Sequence, residues 1–376
     1  MKLDKNQQAF LTLLTAGLWE KEARLLSSDG VDLASVYKLA LGQSVVGLVA
    51  AGLEHAVDFK VPQADALAFG SFALQLEHRN KAMNQFIAEL ITKLKSADIY
   101  AVLVKGQGIA QCYEKPLWRA CGDVDLFVSG DNYKKAKDCL IPFATHTDNE
   151  IEYRKHLELI IGKWCVELHG NLRSGFSRRV DRGLDDIEQD IIANGKVRSW
   201  QNGDINVLLP SADNDVIIIF THILQHFFLG GIGLRQICDW CRLLWRFAGE
   251  IDACLLERRL RSIGLMSEWR VFAALAVDYL DMPVEALPLY VDSPRYHRRA
   301  ARVMALVFDS GNFGFNRFDF HKQGDSANKK HLVSFWWYTR YAYRQFWIFP
   351  FEAVKGWLRL LFMGTRAAVM RFLRKR

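Results

Sequence analysis

Apolar residues recur at intervals of three and four from Asn6 to about Ser96, as at Phe10, Leu13, Leu14 and Leu18 and again through Met83, Phe86, Ile87, Leu90, Ile91 and Leu94. That spacing lines one face of successive helices. Pro62, after Val61, marks a helix start, because the first turn has no use for the N–H that proline lacks. No alternating run breaks the pattern, so residues 1–97 are predicted to form an N-terminal helical region.

The period changes at Ile99. Ile99-Tyr100-Ala101-Val102-Leu103-Val104 is short, apolar and partly β-branched, and it ends in Lys105-Gly106, as a buried strand feeding a turn would. Gly122-Asp123-Val124-Asp125-Leu126-Phe127-Val128 alternates acid and apolar positions before Ser129-Gly130-Asp131-Asn132 stops it, and Trp164-Cys165-Val166-Glu167-Leu168-His169 is a third strand candidate. Tyr133 to Leu140 has the spacing of a short helix. After Pro210 helical spacing returns, through Asp213 to Phe228, Leu234 to Phe247 and Ile251 to Leu280. The predicted class is α+β: a small mixed sheet in a core over 98–210, flanked by helical regions at 1–97 and 211–308. A polar, glycine-containing linker or loop is expected over 309–332, and a tail over 333–376.

A chain of 376 residues with 50% hydrophobic content buries a sizeable core. Its charge of +7 is uneven: nine Lys or Arg against Glu352 alone fall between Val333 and Arg376, which leaves the rest at about −1. A near-neutral body argues against a long nucleic-acid track. In the tail, Phe335-Trp336-Trp337-Tyr338, Tyr341, Phe346-Trp347-Ile348-Phe349, Trp357, Leu360-Leu361-Phe362 and Phe372 are interleaved with arginines. That combination suits a helix lying in an anionic membrane surface, or one packed on the body or on a partner helix, and charge interrupts it too often for a span. The opening Met-Lys-Leu-Asp-Lys leads into helical spacing without a leader pattern, so the expected location is cytoplasmic, and peripheral at the inner face of the membrane if the tail binds lipid and does not pack on protein. The seven scattered cysteines are expected to be reduced, and Cys238 and Cys241, inside a helical run, to be packing residues.

The chemistry gathers in the middle. Residues two apart on a strand share a face, so Asp123 and Asp125 present both carboxylates on one side while Val124 and Leu126 enter the core. A divalent cation relieves such a pair most directly, Mg²⁺ (or Mn²⁺) being usual where carboxylates and phosphates share the coordination sphere. Upstream, Lys105-Gly106-Gln107-Gly108 offers two glycines, a cation and a helix start, a set that can hold phosphate.

Leu103-Val104-Lys105-Gly106, Tyr113 with Pro116, Arg119, Gly122-Asp123-Val124-Asp125-Leu126 and Val166-Glu167-Leu168-His169 together resemble the nucleotidyltransferase superfamily, and within it the bacterial uncharacterised nucleotidyltransferases. His222, His226 and Gly233-Leu234-Arg235-Gln236-Ile237-Cys238-Asp239-Trp240 extend the resemblance, which covers roughly residues 90 to 245. It implies a small mixed sheet, two metal ions and transfer of a nucleoside monophosphate from a triphosphate to an unidentified acceptor, a hydroxyl of a small molecule, glycan or protein, with release of pyrophosphate. Glu167 matches the third acid, as ligand or general base beside Asp123 and Asp125. Lys105, Gly106, Gln107 and Arg119 are the expected phosphate contacts, although Gln107 stands where many members carry serine.

Other readings compete. The same fold can serve as an inactive nucleotide-binding scaffold, and the aromatic, basic tail can bind single-stranded nucleic acid. His169 shares the strand face of Glu167 and is open to a metal or a structural role. Lys105 and Arg119 are open to phosphate or to an internal ion pair. His222 with His226, and Arg235 with Asp239, are each four apart on a helix and are expected to pack or pair there.

Overall fold

Helix α1 (Lys5–Trp19) starts where the Asp4 side chain accepts the Gln7 amide and the Gln7 side chain accepts the Asp4 amide, a reciprocal cap for two otherwise free donors. Asp32 caps α2 (Leu33–Gly42) in the same region. Helix α3 (Val46–Glu54) crosses α1 closely enough that a Cβ on Gly17 would lie 1.9 Å from the Leu48 carbonyl oxygen and one on Gly52 1.8 Å from that of Leu13. Helix α4 (Gln63–Ser96) follows Pro62 and runs for 34 residues. Phe69 and Ala73 in its first half join the helical core, whereas Met83, Ile87, Leu90 and Leu94 in its second half lie under the sheet. The computed structural model describes residues 2–25, 30–148, 150, 155–315, 327–358 and 361.

The sheet has the order β1-β2-β5-β4-β3, formed by β1 (Ala101–Val104), β2 (Asp123–Val128), β3 (Ala144–Thr147), β4 (His156–Ile161) and β5 (Trp164–His169). Only β2 and β5 run parallel. One face is apolar throughout: Leu103, Val124, Leu126, Leu157, Leu159, Val166 and Leu168 pack with the second half of α4. The other face carries Asp123, Asp125, Glu167, His169 and His156. Helices α5 (Gly106–Ala110), α6 (Asn132–Leu140) and α7 (Arg178–Ile192) join these strands, and a separate hairpin of β6 (Val197–Asn202) and β7 (Ile205–Pro210) closes the segment. The three strands expected from alternation are present, and β3, β4, β6 and β7 add to them.

The remaining helices are α8 (Ala212–Leu229), α9 (Leu234–Arg246), α10 (Ala253–Ile263), α11 (Met266–Leu280), α12 (Pro294–Ser310) and α13 (Ala327–Phe346). The single helix expected over Ile251 to Leu280 is two, because Gly264 at φ 76° ends α10. Helix α13 begins inside the range expected as linker, and a further helical stretch covers 350–358. Tyr341, Ile348 and Phe349 are buried against the body, so this part of the tail packs on the protein. Arg359, Leu360 and all residues from Phe362 to Arg376 lie outside the described residues. Among the described residues no helix is long and apolar enough to cross a membrane.

Candidate active site

Where β1 ends, Lys105 adopts φ 58° and ψ −147°, and Gly106 adopts φ 45°. Side-chain-bearing residues rarely enter the region Lys105 occupies, which costs about 1–3 kcal/mol. The two conformations turn the chain from strand into α5 within one residue. The turn also brings Lys105 Nζ to 2.6 Å from Asp125 Oδ1, and Asp125 stands opposite Val104 in the antiparallel register.

Sheet register assembles the rest. Across the parallel pair Asp125 stands opposite Glu167, and across the next pair His169 stands opposite His156. The two imidazoles stack with ring centres 4.7 Å apart at 5°, and each Nε2 lies 3.4 Å from Glu167 Oε2. His169 Nε2 is also 3.0 Å from Asp125 Oδ1. Donors held at about 2.1 Å from one cation stand roughly 3–3.4 Å from each other, so these separations fit ligation. Ligand atoms of His156, Glu167 and His169 all lie within 4.8 Å of one another.

The charges are tightly coupled. The Asp125 charge, and then burial, hold the Asp123 carboxyl above its usual range. Burial pushes Glu167 up as well, but the imidazoles of His156 and His169, each 3.4 Å away, and the charge of Lys105 outweigh it and hold the carboxylate far below the ordinary range. His169 is raised: burial pulls its proton off, and the bonds to Asp125 and Glu167 more than restore it. Burial likewise opposes the Lys105 charge, and Asp125 and Glu167 overcome it.

A cleft of about 630 Å³ separates this strand wall from α8 and α9. Helix α8 contributes His222, Gln225 and His226, and α9 contributes Arg235, Gln236 and Asp239. Arg119 reaches across to grip Asp239 with both ends of its fork, Nε to Oδ1 at 2.9 Å and Nη2 to Oδ2 at 2.6 Å, while Tyr113 Oη donates to the same Oδ1 at 2.8 Å. Arg119 Nη1 and Arg235 Nε are buried without a hydrogen-bond partner. Arg235 Nη1 donates to the Ala120 carbonyl at 2.8 Å. Burial, and then the Arg119 charge, bring Arg235 below its ordinary value. The rings of His222 and His226 are 4.4 Å apart, and His226 lies 4.6 Å from Phe313. Burial and the Lys105 charge bring His226 down to about 4 and His222 well below its ordinary value, so both imidazoles are neutral near pH 7.

Asp123, Asp125, Glu167, Lys105, Gly106 and Arg119 thus line one cleft. Gln107 does not: its side chain is buried away from the cleft, where Nε2 donates to Asn80 Oδ1 at 2.9 Å. Asn80 in turn donates to the Leu117 and Arg119 carbonyls, so Gln107 belongs to a tie between α4 and the turn at 116–118. The expected Arg235–Asp239 helix pair is replaced by the Arg119–Asp239 pair. His222 and His226, expected only to pack, face the cleft. His156 was not among the residues expected at the site. Its signal was the alternation His156-Leu157-Glu158-Leu159, which places it on the same face as Glu167's neighbours.

A family model described as uncharacterised nucleotidyltransferase matches residues 29–281. No curated protein and no solved structure matches the chain. The family match takes in all of the cleft's strand wall and the helices opposite it, and on that extent the chain belongs to the uncharacterised nucleotidyltransferase family.

Proposed function

We propose that the protein is a metal-dependent nucleotidyltransferase that moves a nucleoside monophosphate from a nucleoside triphosphate to an acceptor hydroxyl and releases pyrophosphate. One observation carries this reading: Asp123, Asp125 and Glu167 share a sheet face in fixed register, and Lys105, Arg119 and Arg235 line the same cleft. The donor set suits the metal. Three carboxylates are hard oxygen ligands of the kind Mg²⁺ takes, and the imidazoles of His156 and His169 are nitrogen donors that Mn²⁺ also accepts. Bound there, divalent metal would neutralise phosphate charge and stabilise both the attacking and the leaving oxygen.

The protein's own groups do the rest. Lys105 and Arg235 meet the charge of the triphosphate, and the amides at Gly106 contact it where the backbone turns. Arg119 offers Nη1 while the other end of its fork stays on Asp239. The neighbouring imidazoles of His156 and His169 and the Lys105 charge keep Glu167 ionised, which suits a ligand better than a general base. His226 and Phe313, packed edge to face at 66°, form an uncharged aromatic wall against which a nucleobase can rest. The volume is in the usual range for a small-molecule site. In this reading the 98–210 segment is the donor-binding core and 211–308 the domain that closes over it. The protein works in the cytoplasm, and its C-terminal region meets an anionic surface or a partner helix.

The test is metal-dependent binding and turnover of the four labelled nucleoside triphosphates with Mg²⁺ or Mn²⁺, in wild type and in the double variant Asp123→Ala, Asp125→Ala. Binding lost in the variant, with label transferred to an acceptor, is expected. Absence of triphosphate binding in the wild type would leave the fold as a scaffold.

A further inference from the structure

Buried and exposed positions on α13 and the turn just after it separate into two stripes. Tyr341, Gln345 and Ile348 face the body: Tyr341 packs its ring against Phe227 and Gln345 donates to the Phe227 carbonyl. Trp336, Arg340, Tyr343 and Trp347, spaced by four, three and four, point the other way. The three aromatic residues of that stripe are 66%, 63% and 56% exposed. Phe351, at 76%, and Leu358, at 53%, continue the apolar surface along 350–358. Aromatic residues are costly to leave in water, and a stripe of them at helical spacing is a surface awaiting a cover.

Helix α12 adds what the tail alone does not reveal. Arg302 Nη1 donates to the Trp347 carbonyl at 2.8 Å, which ties α12 to the aromatic stripe. Arg295, Arg298 and Arg302 recur at three and four along α12, and all are exposed. The helix has one acid, Asp309, and Arg344 of α13 already pairs with it. Residues 359–376 bring six further bases and no acid in sequence.

We infer that the arginine row of α12 and the aromatic stripe of α13 and 350–358 form one composite face that docks on an anionic lipid bilayer. Trp and Tyr rings are at home at headgroup level, and arginines meet anionic headgroups beside them. No described helix is long and apolar enough to cross, so the contact is with the surface. Bilayer rather than nucleic acid fits because exposed Phe351, Val354 and Leu358 have apolar side chains that gain by entering the acyl boundary and gain little from phosphate. This inference does not depend on the chemistry of the cleft.

Co-sedimentation of the full chain with phosphatidylcholine vesicles, with and without phosphatidylglycerol, tests it. The wild type is expected to pellet only with the anionic vesicles and to be released by salt. The double variant Arg295→Gln, Arg298→Gln should partition less, by roughly fivefold per arginine at most. The triple variant Trp336→Ser, Tyr343→Ser, Trp347→Ser should also lose binding. Circular dichroism melting and triphosphate binding unchanged in both variants would confirm that the effect is at the surface. Three results would overturn the inference: equal binding to neutral vesicles, undiminished partitioning of the arginine variant, or no vesicle binding together with a dimer that the aromatic variant breaks.

Discussion

On the strand wall Asp125 is shared: Lys105 Nζ and His169 Nε2 lie 2.6 and 3.0 Å from the same Oδ1, and Glu167 stands beside it in register. On the helix wall Asp239 is committed: Arg119 grips both its oxygens, and Tyr113 adds a third bond. Both are buried aspartates with a basic partner, yet they do different work. A fork-to-carboxylate pair fixes two elements in one geometry, and here it holds the loop before β2 against α9. An ammonium and an imidazole meeting one oxygen of a crowded acid group fix no such fork geometry, and in the proposed metal-binding role an incoming cation would displace the ammonium. The acids of the strand wall are therefore arranged for exchange, and the acid of the helix wall for permanence.

The comparison breaks most sharply at Asp239. Asp239→Ala leaves the Arg119 guanidinium buried without its counter-ion and should cost about 3–5 kcal/mol, read as a lower urea midpoint with an unchanged slope. Restoration of stability by the added change Arg119→Met would show that the pair fixes geometry and that the charge itself is dispensable. Asp123→Asn should act in the opposite sense. The Asp125 charge holds the Asp123 carboxyl above its usual range, so removing its charge relieves repulsion and raises the melting temperature of the metal-free protein. Metal-dependent turnover should fall on the order of 10²–10³. A variant that melts lower and keeps its turnover would contradict the role given to the strand wall.

The smallest effect concerns His226. Its folded value of about 4 lies below the ordinary value of 6.5, so the unfolded chain binds the extra proton more readily. The stability conferred by the neutral imidazole is complete above about pH 6.5 and is lost as pH falls toward 4. His226→Gln should flatten that decline. Urea unfolding at about pH 7.5 and about pH 5 should show a smaller difference for the variant than for the wild type; equal differences would place the burden on other groups.

Much of the strand wall was legible because a strand repeats every two residues. Asp123 and Asp125, and Glu167 and His169, share a face whatever else the chain does. What those strands lie beside was a matter of register, and the resemblance supplied it for Glu167. His156 was missed although its strand alternates and Gly162, at φ 61°, turns β4 into β5, because its place opposite His169 is a matter of register. Strand β6 was missed because no position of it is fully buried, so Val197-Arg198-Ser199-Trp200-Gln201-Asn202 lacks a clean alternation, and β7, which is largely buried, was missed with its partner. The helix wall was harder still. Spacing put His222 and His226 on one face but did not say that the face meets a cleft, and it offered Asp239 the partner four residues away. The partner it has is 120 residues distant, and no local pattern encodes that choice. Gln107 was read from its place after Gly106, and its side chain instead turned toward Asn80 on α4.

Helix α4 belongs to both hydrophobic cores, with Phe69 in one and Leu90 in the other. At 34 residues it is a continuous rod of roughly 50 Å. Melting either core would fray the rod that the other is built on, so the helical region and the sheet are expected to unfold in one transition. A fluorescence melt and a circular dichroism melt with the same midpoint would mean that the change of pattern near residue 97 is not a seam along which the protein comes apart.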